Sequence, residues 1–169
     1  KDVDVLLERV LSEARSLVHA DAGSIYIKEG GDLLFSYTQN DTQQRKLPAG
    51  KKLIYSTFSV PINNRSIAGY VANTGETLNI RDVYKLKPGL PYSFNRSYDD
   101  ISGYRTQSML TFPLKTSRGD TVGVLQLING KDDRDRIIPF RKKDQARLLY
   151  FAHMAAAAIE RAQMTRAMI

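Results

Sequence analysis

Ser66-Ile67-Ala68-Gly69 has the composition of a helix start that can hold an anion. Ser66 is a good helix cap, and the first backbone N–H groups of a helix lack partners within it. Those donors and the positive helix end attract phosphate, and Ala68 and Gly69 are small enough to let a ligand approach. The same residues also read as a capped helix that simply packs on a sheet. A second candidate is Phe94-Asn95-Arg96-Ser97-Tyr98-Asp99-Asp100. Phe94 or Tyr98 can stack on a ring, Arg96 can meet an anion, and Asp99 can accept from a base or a sugar. The alternative is that Arg96 and the two aspartates pair with one another. Ser24 and Tyr26 share one face of a strand, opposite Ile25 and Ile27. Gln126 shares a strand face with Val122, Val124 and Ile128, and a buried glutamine there needs a hydrogen-bond partner.

No constellation for bond-breaking accompanies these residues. The chain has no cysteine, which removes thiol nucleophiles, disulfides and zinc–thiolate sites. No serine–histidine–carboxylate order, HExxH, P-loop or GxGxxG occurs. His19 and His153 are the only histidines, and each reads as a surface or helix-end residue. The expectation is a non-enzyme without a metal.

The 169 residues are 42% hydrophobic, enough for one well-buried core and too few for two ordinary domains. The formal charge of +7 is spread among acids, as in Lys131-Asp132-Asp133-Arg134-Asp135-Arg136, and the one tight basic run is Arg141-Lys142-Lys143. A nucleic-acid binder shows a basic stripe with aromatics between the charges, so no nucleic acid is expected. No run of 18 apolar residues offers a membrane span, and the lack of cysteine suits the cytoplasm.

The positioning elements follow from periodicity. Residues 2–19 form an amphipathic helix, with Leu6, Leu7, Val10, Leu11, Ala14, Leu17 and Val18 at helical spacing. Asp21-Ala22-Gly23 then makes a turn. Strands follow at 24–28 and 32–38 around Gly30-Gly31, with a loop at 39–52 and a third strand at 53–60. Gly75 stops the helix that Ser66 starts. Residues 79–102 are irregular apart from a short helix within 92–101. Strands at 107–115 and 121–129 surround the turn 117–120. The last helix, within 140–169, is apolar on more than one side, and Leu148, Phe151, Ala155, Ala158 and Ala162 form a face that needs a partner. The fold class is α+β, with long terminal helices flanking the sheet.

Several pieces in order resemble a GAF domain: Ser66-Ile67-Ala68-Gly69-Tyr70-Val71-Ala72-Asn73-Thr74-Gly75-Glu76, then Asp99 to Thr106, then Met109 to Leu114 and Val122 to Asn129. The similarity runs from Leu6 to about Ala162. It is greatest to the regulatory domains of cyclic-nucleotide phosphodiesterases, adenylyl cyclases and bacterial HD-GYP phosphodiesterases. The resemblance implies one domain over 1–169, with a six-stranded antiparallel sheet and pocket in 22–139 and a signalling helix after it. It implies a small-molecule ligand, with cAMP or cGMP the leading class, a mobile lid at Phe94–Asp100, and Thr106 near the pocket. It also implies an output domain in the parent chain, and the apolar faces of the two terminal helices predict a parallel homodimer joined through them. A ligand-free dimerisation and spacer module is the alternative. The family's closing motif is matched in part by Asn129, Lys131, Phe140, Asp144 and Gln145, for which we expect a Lys131–Asp144 ion pair. Gln39 and Gln126 stand where nucleotide-binding members carry acidic residues.

Overall fold

The computed structural model describes residues 2–168. Lys1 and Ile169, the ends of the expected domain and final helix, lie outside the described residues. Helix α1 (Asp2–Val18) passes into strand β1 (Ala20–Glu29) through His19 alone, which takes the left-handed conformation at φ 55°. Asp21-Ala22-Gly23 is therefore part of β1 and not the expected turn, because one left-handed residue reverses the chain. β1 pairs with β2 (Asp32–Asn40) and with β6 (Thr121–Lys131), both antiparallel.

The sheet order is β3-β2-β1-β6-β5-β4, with β3 at Ser59–Pro61, β4 at Leu78–Ile80 and β5 at Met109–Lys115. A short β7 (Ile137–Ile138) pairs with β6 off this path. The six-stranded antiparallel core matches the expectation. Its edge strands are much shorter than hydrophobicity alone indicates. Residues 53–58 do not form strand: Tyr55 and Phe58 turn inward onto Phe35 while Ile54 is left exposed. β4 lies in the stretch expected to be irregular, held by only three residue pairs with β5. The loop expected at 39–52 contains the end of β2 and a one-turn helix, α2 (Asp41–Arg45), capped by Asn40, whose Oδ1 accepts from Gln43 N. A 3-10 turn at Val83–Lys85 and helix α4 (Ser97–Ser102) complete the segment before β5.

The two faces of the sheet have different covers. On one, α1 and α5 (Lys142–Ala167) pack Leu7, Leu11, Ala14, Leu148, Ala152, Ala155 and Ile159 against Ile25, Leu125 and Leu127. Leu148 and Ala155, expected on an unpartnered face, are fully buried here. The alanine-rich helix is narrow enough to meet both α1 and the sheet, so its second apolar side is already used. Val122 also joins this cluster and not the Gln126 face, where a register shift between Leu114 and Lys115 re-aims the strand end. On the other face lie α3 (Ile67–Thr74), α4 and the connections between them.

Candidate functional site

A row of polar side chains crosses the α3 face. Strand register sets Thr38 opposite Ser24, Ser24 opposite Gln126, and Gln126 opposite Thr111, across β2, β1, β6 and β5. The Ser24 and Thr38 hydroxyls lie 3.1 Å apart, and Gln126 Nε2 donates to Thr111 Oγ1 at 3.3 Å. Ser24, Thr111 and Gln126 are all buried. Apolar groups bound the row on both sides. Tyr26, Phe35, Ala68, Val71 and Val124 form one cluster, and Ile67, Ile80, Val83 and Met109, with Ile128 against them, form the other. Thr38 and Thr111 were not singled out from sequence. Their only signal was a polar residue at an inward strand position, which needs the register to be recognised.

Helix α3 stands over this row. Ser66 caps it, its Oγ accepting from Gly69 N at 3.0 Å, and Gly75 ends it in the left-handed conformation. Ile67 and Ala68 are buried against the sheet clusters. Gly69 is small for a packing reason: a Cβ there would lie 2.6 Å from Pro61 O and 2.7 Å from Asn63 O. The expected ligand approach at Gly69 is therefore replaced by close contact with the chain leaving β3.

The lid segment divides in two. Asp99 is buried and accepts from Thr106 N and Thr106 Oγ1, both at 2.8 Å, and from Tyr84 Oη at 2.6 Å. Lost solvation and this bond to Asp99 raise the Tyr84 phenol above its ordinary pKa. Asp99 and Thr106 thus hold each other and the chain after α4. Arg96 is exposed and pairs with Asp100 at 3.3 Å, as in the solvated-loop reading. Phe94 packs edge-on to Tyr84, 5.1 Å between ring centroids, and against the cluster of Ile67, Ile80, Val83 and Met109. Arg105 lies over the Tyr84 ring at 4.0 Å.

Aromatic rings occupy the β2 end of the α3 face. Phe35 sits 4.6 Å from Phe58, 5.3 Å from Tyr26 and 5.5 Å from Tyr55, and Tyr98 of α4 closes over Phe35 and Phe58 at 5.7 and 5.6 Å. Gln39 points to the opposite side, its Oε1 accepting from Arg15 Nε and its Nε2 donating to Glu8 O.

The closing motif is structural, with a different partner from the one expected. Lys131 Nζ lies 3.5 Å from Asp21 Oδ1 and 3.3 Å from Asp135 Oδ1, not beside Asp144. Asp144 sits in the first turn of α5, accepts from Arg141 N at 2.9 Å and pairs loosely with Arg141 and Arg147. Asp21 also accepts from Thr42 Oγ1 and Tyr104 Oη, each at 2.6 Å. Burial opposes its ionisation, but these bonds and the Lys131 charge outweigh burial and hold its carboxyl below the ordinary value. Asn129 is left-handed and fully buried. It donates to Tyr104 Oη and Arg105 O and accepts from Gln107 N.

A sheet with paired terminal helices on one face and a capped helix over a polar row on the other defines a small α+β module. The model of the GAF domain matches residues 2–159, and the chain belongs to the GAF family. The cGMP-specific 3',5'-cyclic phosphodiesterases of Drosophila melanogaster and Drosophila ananassae are 32% identical over 136 residues. These matches cover 76% of this chain and 11% of each relative, so the chain spans a small part of their length. Among solved structures, a fragment of a methyl-accepting chemotaxis protein superposes with a TM-score of 0.68 at 19% identity, covering 98% and 93% of the two chains. The GAF-B domain of DevS from Mycobacterium smegmatis gives 0.62 at 19% identity, covering 99% of each. GAF domains are typically regulatory or sensory modules of signalling proteins and generally non-catalytic. Among the described residues no helix is long and apolar enough to cross a membrane.

Proposed function

We propose that this domain is a cytoplasmic sensory module that takes a small ligand on its α3 face, with a cyclic nucleotide, cAMP or cGMP, the leading class. Its terminal helices carry the response to an output domain of the parent protein. The observation that supports this reading is the polar row Thr38–Ser24–Gln126–Thr111, of which the last three are buried. Polar groups in a sheet centre are costly unless bonded. Gln126 spends one amide proton on Thr111, leaving its carbonyl and second proton for the edge of a ligand. The phosphodiesterase relatives favour a cyclic nucleotide among polar ligands. Thermal shift with cAMP, cGMP and cyclic dinucleotides tests the reading. A ligand at one hundred times its dissociation constant adds about 2.7 kcal/mol. No shift with any of them at millimolar concentration overturns nucleotide sensing.

The ring cluster favours a second reading. Tyr26, Phe35, Tyr55, Phe58 and Tyr98 fill the β2 end of the face, as a ligand-free spacer would require. Such a module works by dimerising. Exposed Val5, Leu6, Leu149 and Tyr150 on α1 and α5 offer apolar surface to a second copy. Native mass spectrometry separates the readings: a dimer without a bound small molecule supports the spacer, and a retained ligand supports the sensor.

A further inference from the structure

We propose that the loop joining α2 to β3 is a docking surface for an anionic lipid bilayer. Between Asp41 and Glu76 the chain has no carboxylate, while Arg45, Lys46, Lys51, Lys52 and Arg65 fall within that stretch. Arg45 ends α2, the next three lie on the loop, and all four are exposed. Among the described residues none of these four makes an ion pair, since Asp41 is held by Arg15 at 3.1 Å.

The loop is a built presentation of these charges. Lys46 N and Leu47 N donate to Gln43 O and Gln44 O, extending the α2 turn. Lys51 N donates to Pro48 O at 3.1 Å, in a turn that Gly50 allows at φ 82°. The Gln44 side chain then ties the returning arm: its Nε2 donates to Lys51 O at 2.6 Å, and its Oε1 accepts from Leu53 N at 3.1 Å. Arg45 is anchored at the base, donating to Thr42 Oγ1. The arm leaving this clamp carries Ile54, 92% exposed, two residues after Lys52.

Cations beside a projecting branched apolar side chain match the two layers of a membrane surface, phosphate headgroups above and acyl carbon below. Nucleic acid fits less well. The rings near the loop, Tyr55 and Phe58, are committed to Phe35, and Tyr55 Oη donates to Ser36 O, so none is available to stack on a base.

The test is co-sedimentation of the wild-type domain with phosphatidylcholine vesicles, with and without about a third phosphatidylserine. Binding only to the anionic vesicles is expected, and it should be lost at about 0.5 M salt, where screening is short-ranged. Each cation is worth about five-fold in partitioning. Lys46→Glu with Lys51→Glu should lower it more than tenfold, and Ile54→Ser several-fold, with unchanged melting temperatures. The same charge change at Lys142 and Lys143 should leave binding within about two-fold. Equal loss in that control would assign the effect to net charge and overturn the proposal. So would equal binding to both vesicle types, or none to either. Binding to polyglutamate or duplex DNA as tight as to the vesicles, and insensitive to Ile54→Ser, would make the loop a general polyanion face and not a lipid site.

Discussion

A double-mutant cycle on Lys131 discriminates sharply between its two candidate carboxylates. Sequence spacing points to Asp144, whereas the fold places Asp21 Oδ1 3.5 Å from Lys131 Nζ. The Asp21 side chain is 3% exposed and that of Lys131 16%, so solvent screens this pair weakly. At that separation two unit charges attract by about 5 kcal/mol at an effective dielectric near 20. Desolvation and side-chain ordering reduce the net coupling to about 1–3 kcal/mol. The contact with Asp135 is 75% exposed on the acid side and contributes no more than about 1 kcal/mol. The assay is urea unfolding at neutral pH of Lys131→Met, Asp21→Asn, Asp144→Asn and the two double variants. The cycle with Asp21 should give about 1–3 kcal/mol of coupling, and that with Asp144 less than about 0.5 kcal/mol. Asp21→Asn alone should cost more than Lys131→Met, because it also disturbs the bonds from Thr42 and Tyr104. Coupling to Asp144 as large as to Asp21, or none to Asp21, would refute the assignment.

Three further outcomes are expected. Gly69→Ala should destabilise by about 1–3 kcal/mol in urea despite the better helix propensity of alanine, because the new Cβ meets two backbone carbonyls at 2.6 and 2.7 Å. A stabilised variant would mean that the chain at Pro61–Asn63 yields freely. The Asp21 carboxyl titrates below its ordinary value in the fold, so its contribution is present above the unfolded pKa of about 4 and lost as pH falls through the lower folded value. Acid unfolding followed by circular dichroism should be less steep in Asp21→Asn, and an unchanged slope would contradict this. Ala155→Glu should lower stability by about 3 kcal/mol or more, because residue 155 is fully buried between α1, α5 and the sheet. Leu149→Glu, at a half-exposed position, should stay within about 0.5 kcal/mol.

Much of this fold was legible because its long elements carry strong periodicity. The amphipathic pattern of α1, the hairpin glycines at 30–31 and the apolar runs of β5 and β6, buried on both faces, each mark an element long enough to read. The short elements carry too few residues for periodicity to act. β4 and β3 are held by pairing to neighbours, and α2 by an asparagine cap within a polar segment. Residues 53–58 misled for a related reason. Their aromatic and β-branched composition reflects ring packing on Phe35, which needs no ladder.

The candidate site was legible as a set of residues and much less as a set of partnerships. The resemblance to the family marked Asp99, Thr106, Lys131 and Asp144 as significant polar groups, and all four are held in specific bonds or ion pairs. Spacing along the chain does not say which of them meet. Asp21 finds Lys131 because β1 and β6 pair, and Asp99 finds Thr106 because α4 ends in a left-handed glycine that folds the chain back. The polar row makes the same point more strongly. Its members come from four strands and align only in the observed register. A slip of one residue in any strand would carry that member to the α1–α5 face, among the aliphatic side chains of the main core. Two shared boundaries fix that register: the single-residue reversal at His19, and Asn129 anchoring the end of β6 to the Tyr104–Gln107 segment. The residues that build the candidate site and those that hold the closing motif are therefore parts of one constraint. A substitution at Asn129 should disturb the α3 face without touching it.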